Sequence, residues 1–467
     1  MEVCRGGGEG GRYTTLSPGA VSREGTGSRE GAGSPELTSE PWAPGPKPAV
    51  SPEPRGGPQR GARSPEEETW GLWDPGRFPA NFSPGLNLGP LLRVEDVPVP
   101  MLDLKAQYHN IKDEVLARMM AVIERQHFIM GAEIAELESA IAALSHTRHA
   151  VSCASGTDAI LLPIRALNLK PGDEVIAPAF TFFATAGAIH NGGGRPVFVD
   201  IDAGTFNADP DAIARAITPR TRAIVVVDLY GQMAALERVL PLARERGIAV
   251  IEDAAQAIGA RRKIDGTWRM AGELPNVGTF SFFPSKNLGG YGDGGIMTLQ
   301  DDALAERLRR LRLHGGAKQY HHEEVGLNSR LDTLQAAILL AKLPHLAAWS
   351  AGRRARAARY GEAFAGFGPV RTPVTDPANE HIFHQYTMRV ERRDALRTFL
   401  QERGIGSMVY YPVALHLQPC FADLGYGPGS LPVTEQAMKE VISLPIYPEL
   451  TDAQQDEVIA AVREFYG

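Results

Sequence analysis

The sequence predicts an α/β protein: a mostly parallel central sheet with helices on both faces, followed by a smaller C-terminal α+β part. Three observations carry that prediction. Between His149 and Glu252, short apolar runs of strand length alternate with stretches of helical period. Several of the runs, Arg222–Leu229 above all, are rich in β-branched residues. Strands that alternate with helices are joined by crossovers, which makes their sheet parallel. The chain is also 467 residues long, ample for two domains and a large core.

Residues 1 to about 95 stand apart. They are rich in Gly, Pro, Ser, Arg and Glu, and their few aromatics (Trp42, Trp70, Trp73, Phe78, Phe82) follow no period. Such a segment buries too little surface to offset its chain entropy, so a disordered tail is expected, either an interaction segment or a dispensable extension. Order is expected from about Val97. Ile111, Val115, Met119 and Val122, then Ile134, Leu137 and Ile141, put apolar residues at helical spacing through 105–144. There follow strand 150–153, helix 156–167, strand 174–177, helix 181–190, strand 196–201, helix 210–217, strand 222–229, helix 236–246 and strand 248–252. Strands 279–283 and 295–299 precede a long helical stretch, 333–365, and the chain closes on a helix over 452–465. The predicted division is a tail over 1–95, a large domain over 96–345 and a smaller one over 346–467.

A net charge of −7 implies no general affinity for nucleic acid. Cys4, Cys153 and Cys420 have neither paired nor metal-type spacing, which argues against a disulfide framework and a zinc site and fits a reducing, cytoplasmic setting. No apolar run approaches the length of a membrane span, and the N-terminus lacks the apolar core of a secretory signal.

The chemistry is concentrated in Thr279–Gly295, where a strand runs out into Lys286 and then a glycine-rich loop. A lysine among apolar residues and glycines is an amine kept neutral and nucleophilic by burial, and the chemistry that uses one is a Schiff base. That points to pyridoxal phosphate, whose phosphate, pyridine nitrogen, ring face and aldehyde each need a partner beyond the C-terminal end of a strand. Ala154-Ser-Gly-Thr-Asp158 joins a strand to a helix, and Gly156 and Thr157 would offer amides, a hydroxyl and a helix N-terminus to the phosphate; the same turn also reads as a plain N-cap. Asp253 ends a buried strand and would hold the pyridine nitrogen protonated, or else cap the next helix. Gln256 lies one turn on, within reach of a ring hydroxyl. Phe182 is a candidate to stack on the ring or a simple core residue, and Ser281 a phosphate ligand or a strand serine.

The joint order of these pieces resembles the pyridoxal-phosphate-dependent nucleotide-sugar aminotransferases of the DegT/StrS type. Ser281-Phe-Phe-Pro-Ser-Lys286-Asn-Leu-Gly, Asp253-Ala-Ala-Gln256 and Gly326-Leu-Asn328-Ser-Arg330-Leu-Asp-Thr-Leu-Gln-Ala-Ala337 carry the resemblance, which spans about Val97 to the C-terminus. It implies the aspartate-aminotransferase-like fold, that is, fold type I, and a homodimer with active sites at the subunit interface. It assigns Lys286 to the Schiff base and to proton transfer, Asp253 to the pyridine nitrogen, Gln256 to the ring hydroxyl and Phe182 to stacking. It assigns Gly156, Thr157 and Ser281 to the phosphate and sends Asn328 across the interface to the partner's phosphate.

The implied reaction moves an amino group from L-glutamate to a nucleotide-linked keto-sugar. His314–His322 and the Lys286 loop look most like the branch acting at C3, with the UDP or dTDP carrier left open; action at C4, or an inactive protein of the same fold serving as a regulator or scaffold, are the alternatives. Arg330, Tyr320, His321 and His322 are candidate contacts to the nucleotide-sugar, as are Tyr410 and His416. Many relatives have histidine where Tyr410 stands, a departure that bears on the sugar rather than on the cofactor chemistry.

Overall fold

The computed structural model describes residues 98–318 and 320–467. The predicted tail, 1–95, lies outside them. A seven-stranded sheet organises the large part of the chain. Its strands are β1 (His149–Cys153), β2 (Glu174–Pro178), β3 (Arg195–Val199), β4 (Thr221–Val227), β5 (Ala249–Asp253), β8 (Val277–Ser281) and β9 (Gly295–Leu299). They lie in the order β1-β9-β8-β5-β4-β2-β3. Only β9 runs against its neighbours; β8, β5, β4, β2 and β3 pair in parallel.

Side chains alternate across the sheet, so each strand feeds two cores. Val175, Ala177, Ala223, Val225 and Ile251 point to one face, where α3 (Gly156–Ala166) and α4 (Phe183–Asn191) supply Ile160, Ile164, Ala188 and Ile189. Ile176, Ile224, Val226 and Val250 point to the other, against α2 (Ala132–Leu144) and the helix Leu236–Glu245. The expected helices on both faces are therefore present. The 105–144 segment divides into α1 (Leu104–Arg125) and α2; α1 starts at the N-cap Asp103, whose side chain accepts from Ala106 N at 2.9 Å, and ends where Gln126 turns left-handed.

Two details differ from the sequence reading. The stretch 333–365 is not one helix but Thr333–Lys342, a tight turn at Leu343–His345, and Leu346–Ala363. Pro344 sits in that turn, where its missing N–H and its ring interrupt the helical ladder. A hairpin not foreseen, β6 (Arg261–Ile264) with β7 (Thr267–Met270), turns on Asp265-Gly266, both at positive φ. Asp-Gly is the preferred pair for that primed two-residue turn, so its signal was in the sequence.

The C-terminal part packs the sheet Val370–Arg371, Tyr386–Val390 and Val441–Leu444 against Arg393–Glu402 and Asp452–Tyr466. Val99 joins this cluster rather than the large sheet: it donates to Gly404 O at 3.2 Å and accepts from Gly406 N at 2.8 Å. Among the described residues no helix is long and apolar enough to cross a membrane, and no group of three or more His, Cys, Asp or Glu is placed to hold a metal ion.

Candidate active site

A cavity of about 620 Å³ opens beyond the C-terminal ends of β1, β2, β4, β5 and β8. It gathers Gly156, Thr157, Phe182, Asp253, Gln256, Ser281, Lys286 and Tyr410, eight of the predicted site residues, from separate strand ends and the C-terminal part. Three smaller clefts, of about 290, 390 and 260 Å³, gather none of them.

Lys286 stands in the turn that follows β8, its amide donating to Phe283 O at 2.8 Å. Burial pushes its amine down to about 8, and the Asp253 carboxylate opposes part of that shift. Among the described residues its Nζ has no hydrogen-bond partner. The following loop is held from the helix Thr333–Lys342. Gln335 Oε1 accepts from Tyr291 N at 2.7 Å, and the buried Lys342 donates to Gly289 O at 2.8 Å while lying 4.4 Å over the Tyr291 ring.

Asp253 ends β5 and is 6% exposed. Thr185, in the first turn of α4, donates to its Oδ2 at 2.8 Å, and Ala255 N approaches Oδ1 at 3.3 Å. Burial pushes the carboxyl above its ordinary range, while Thr185, Ala255 and the Lys286 charge pull the other way. Gln256 accepts from Tyr230 N at 2.6 Å through Oε1. A backbone amide can only donate, so the side-chain orientation is fixed and Nε2 faces the cavity, 3.3 Å from the Tyr411 hydroxyl.

The N-terminus of α3 meets the end of β8 at Gly156. A Cβ there would lie 2.5 Å from Ser281 Cβ, so only glycine permits this approach. The first amides of α3, which have no partner within the helix, and the Ser281 hydroxyl thus converge on one end of the cavity. Phe182, just before α4, is 60% exposed, its ring centre 6.2 Å from that of Tyr411.

Other predicted residues lie elsewhere. Tyr320, His321 and His322 are exposed on the hairpin formed by Gly316–Lys318 and His321–His322 and do not line the cavity. Asn328 is exposed and Arg330 half-buried, both outside it as well. His416, expected near the sugar, is enclosed in the C-terminal part, its Nε2 3.2 Å from Glu435 and its side chain without solvent exposure. Glu435 accepts from Gly429 N and Leu431 N, so the histidine braces a turn and is not presented to a ligand.

Sequence reading missed Thr185, Tyr411, His384 and Gln385. Thr185 had only a weak signal, a hydroxyl in the first turn of the helix after β2, a strand separated from β5 by β4 in the sheet. His384 had none, since it reaches Lys286's neighbour Asn287 (Nδ1 to Oδ1, 3.0 Å) from 97 positions away. Burial first, then the Lys286 and Arg353 charges, hold its imidazole well below the usual pKa, so it is neutral.

A model of the DegT/DnrJ/EryC1/StrS aminotransferase family matches residues 109–463. The chain is 50% identical over 370 residues to a protein of Geobacillus stearothermophilus named a pleiotropic regulatory protein, covering 79% of this chain and 98% of that one. It is 44% identical over 369 residues to a UDP-N-acetyl-3-dehydro-alpha-D-glucosamine 3-aminotransferase of Acidithiobacillus ferrooxidans, again covering 79% and 98%. The crystal structure of Streptomyces venezuelae DesV superposes with a TM-score of 0.76 at 44% identity, over 79% of this chain and 98% of DesV.

Proposed function

This chain belongs to the DegT/DnrJ/EryC1/StrS aminotransferase family, and from that premise we propose that it is a pyridoxal-phosphate-dependent transaminase that passes an amino group from L-glutamate to C3 of a nucleotide-linked 3-keto-sugar. The observation that carries the reading is Lys286: an amine pushed down to about 8, with no hydrogen-bond partner among the described residues, opening into a cavity floored by a buried carboxylate.

The residues present fit that cofactor. Asp253 is a buried acid with a hydroxyl donor on one oxygen, suited to a protonated ring nitrogen. The α3 N-terminus and Ser281 suit a phosphate dianion. Phe182 presents an aromatic face, and Gln256 an amide donor. When bound, pyridoxal phosphate supplies an electron sink for the carbanion left when the donor's Cα loses its proton.

The chain's own residues do the rest. Lys286 Nζ would take the proton from the donor's Cα and pass it to the cofactor's aldehyde carbon, and in the second half-reaction would carry a proton the other way, to C3 of the sugar, a role for which an amine with a lowered pKa is suited. Thr185 holds the Asp253 carboxylate in place, and Tyr230 N aims the Gln256 amide. His384 steadies Asn287 beside the lysine. Two copies complete the site: Asn328, exposed and outside its own cavity, serves the partner's cofactor phosphate, and the nucleotide-sugar enters from the open side. The place of work is the cytoplasm.

Action at C3 is supported by the 44% identical relative whose name specifies a 3-aminotransferase. A regulatory role has one observation in its favour, the name of the 50% identical relative. Against it stands the intact set of Lys286, Asp253, Gln256 and Ser281, which a non-catalytic scaffold does not need. The test is a glutamate half-reaction followed by a panel of UDP- and dTDP-linked 3-keto- and 4-keto-sugars. Glutamate should bleach the cofactor's visible band and a 3-keto-sugar should restore it; a protein that binds no cofactor, or whose band ignores glutamate, would overturn the reading.

A further inference from the structure

Ser329 lies between Asn328 and Arg330, yet its side chain points the other way and is fully buried. Its hydroxyl donates to Asp158 Oδ2 at 2.6 Å and accepts from Ala154 N at 3.2 Å. Both partners belong to the Ala154–Asp158 turn that opens the phosphate end of the cavity. A hydroxyl offers one proton, and here it is spent on one side of that turn while an amide from the other side fills a lone pair. The same turn is closed internally by Asp158 N donating to Ser155 Oγ at 3.1 Å.

The backbone tightens the link. Ser329 N donates to Arg312 O at 3.0 Å, and Asn328 forms a β-bridge with Leu313. The buried Arg312 guanidinium in turn donates to Ser152 O at 2.7 Å and to Glu138 at 2.5 Å. The loop that carries Asn328 is therefore tied to the end of β1 at two points and cannot shift independently of the phosphate turn.

We propose that Ser329 is a positioning residue for two active sites at once: through its hydroxyl it sets the phosphate turn of its own subunit, and through its rigid neighbour Asn328 it sets a phosphate contact in the partner subunit. The second half rests on the dimeric reading proposed above. The two cofactor sites are then mechanically joined, because the element that cradles one phosphate is bonded to the segment that reaches the other.

The test uses co-expressed, differently tagged subunits, one silenced by Lys286→Ala, so that borohydride fixes cofactor only on the remaining Lys286. The readout is the pyridoxal phosphate concentration at half-maximal labelling, together with the melting temperature of the apoprotein. Ser329→Ala in the live subunit should raise that concentration roughly tenfold, the scale of one lost hydrogen bond to a charged group. Ser329→Ala placed only in the silent subunit should raise it as well, by about threefold or more, with the live subunit's own turn intact; Ser329→Cys, a weaker donor of similar size, should recover part of the loss. Labelling unchanged in the silent-subunit arrangement would overturn the proposal. Asn328→Ala in the silent subunit separates the two ideas. If it too has no effect, the dimeric reading fails and takes this inference with it; if it weakens labelling and Ser329→Ala does not, only the inference fails. Should Ser329→Ala fail to fold, Asp158→Asn weakens the same bond and is read in the same two arrangements.

Discussion

The hydroxyl of Thr185 donates a 2.8 Å hydrogen bond to Oδ2 of Asp253. The threonine is fully buried in the first turn of α4 and the aspartate ends β5. The bond crosses the floor of the cavity between two elements that no local pattern connects. It answers the main difficulty of the site, which is keeping a buried carboxylate ionised.

Replacing Thr185 by valine keeps the shape and removes the donor. Burial already raises the Asp253 pKa, so losing a group that lowers it raises the pKa further, toward the protonated form that cannot hold a ring cation. The variant should lose about tenfold or more in kcat at neutral pH. A steady-state assay with glutamate decides it; an unchanged kcat would remove Thr185 from the site.

Lys286 should capture pyridoxal phosphate faster as pH rises, with a midpoint near its lowered value of about 8, because only the neutral amine attacks. Asp253 raises that value, so Asp253→Asn should move the midpoint down. Borohydride trapping of the apoprotein across roughly pH 6 to 10, followed by mass spectrometry, measures both midpoints. A flat profile, or a midpoint that moves up in the variant, would contradict the electrostatics described.

Gly156→Ala should be disproportionately harmful for one methyl group. Its Cβ would sit 2.5 Å from Ser281 Cβ and 2.8 Å from Ser281 Oγ, and one of the two elements must move. Overpacking of this kind costs about 1–3 kcal/mol. The displaced atoms line the end of the cavity proposed for the phosphate, so cofactor affinity should fall along with the melting temperature. Calorimetry and a cofactor titration on the same sample test the pairing of the two losses.

His416→Ala should behave as a stability variant. The histidine is enclosed with Glu435 and absent from the cavity lining. The expected outcome is a drop of about 5 °C in melting temperature with the KM for the sugar unchanged. A selective rise in that KM would return His416 to the substrate.

Most of the fold was legible because its elements are local. The strands of the large sheet and the helices after them showed their periods within short windows, and boundaries moved by only one or two residues at most positions. The exception at 333–365 turned on Pro344, whose effect depended on whether the helix tolerates a kink. The cavity's core set was legible for the same local reason. Lys286, Asp253, Gly156 and Phe182 each sit where a strand hands over to a loop or helix, and in a parallel sheet those handovers share one edge.

By itself the sequence determined which chemistries are present and the order in which the strand ends present them: an amine before glycines, an acid at a strand end, a helix N-terminus after another. Those are properties of single strand–loop units, set by period, burial and glycine. Only the tertiary structure decided which distant groups complete them. Thr185 meets Asp253 across 68 positions, His384 meets Asn287 across 97, and Ser329 meets Asp158 across 171. The reason is physical: such contacts follow from the lateral strand order and the docking of the C-terminal part, which are set by burying surface over the whole chain. The same global packing drew His416 into a core and left Asn328 on the surface, where a sequence window has no means to tell the two apart.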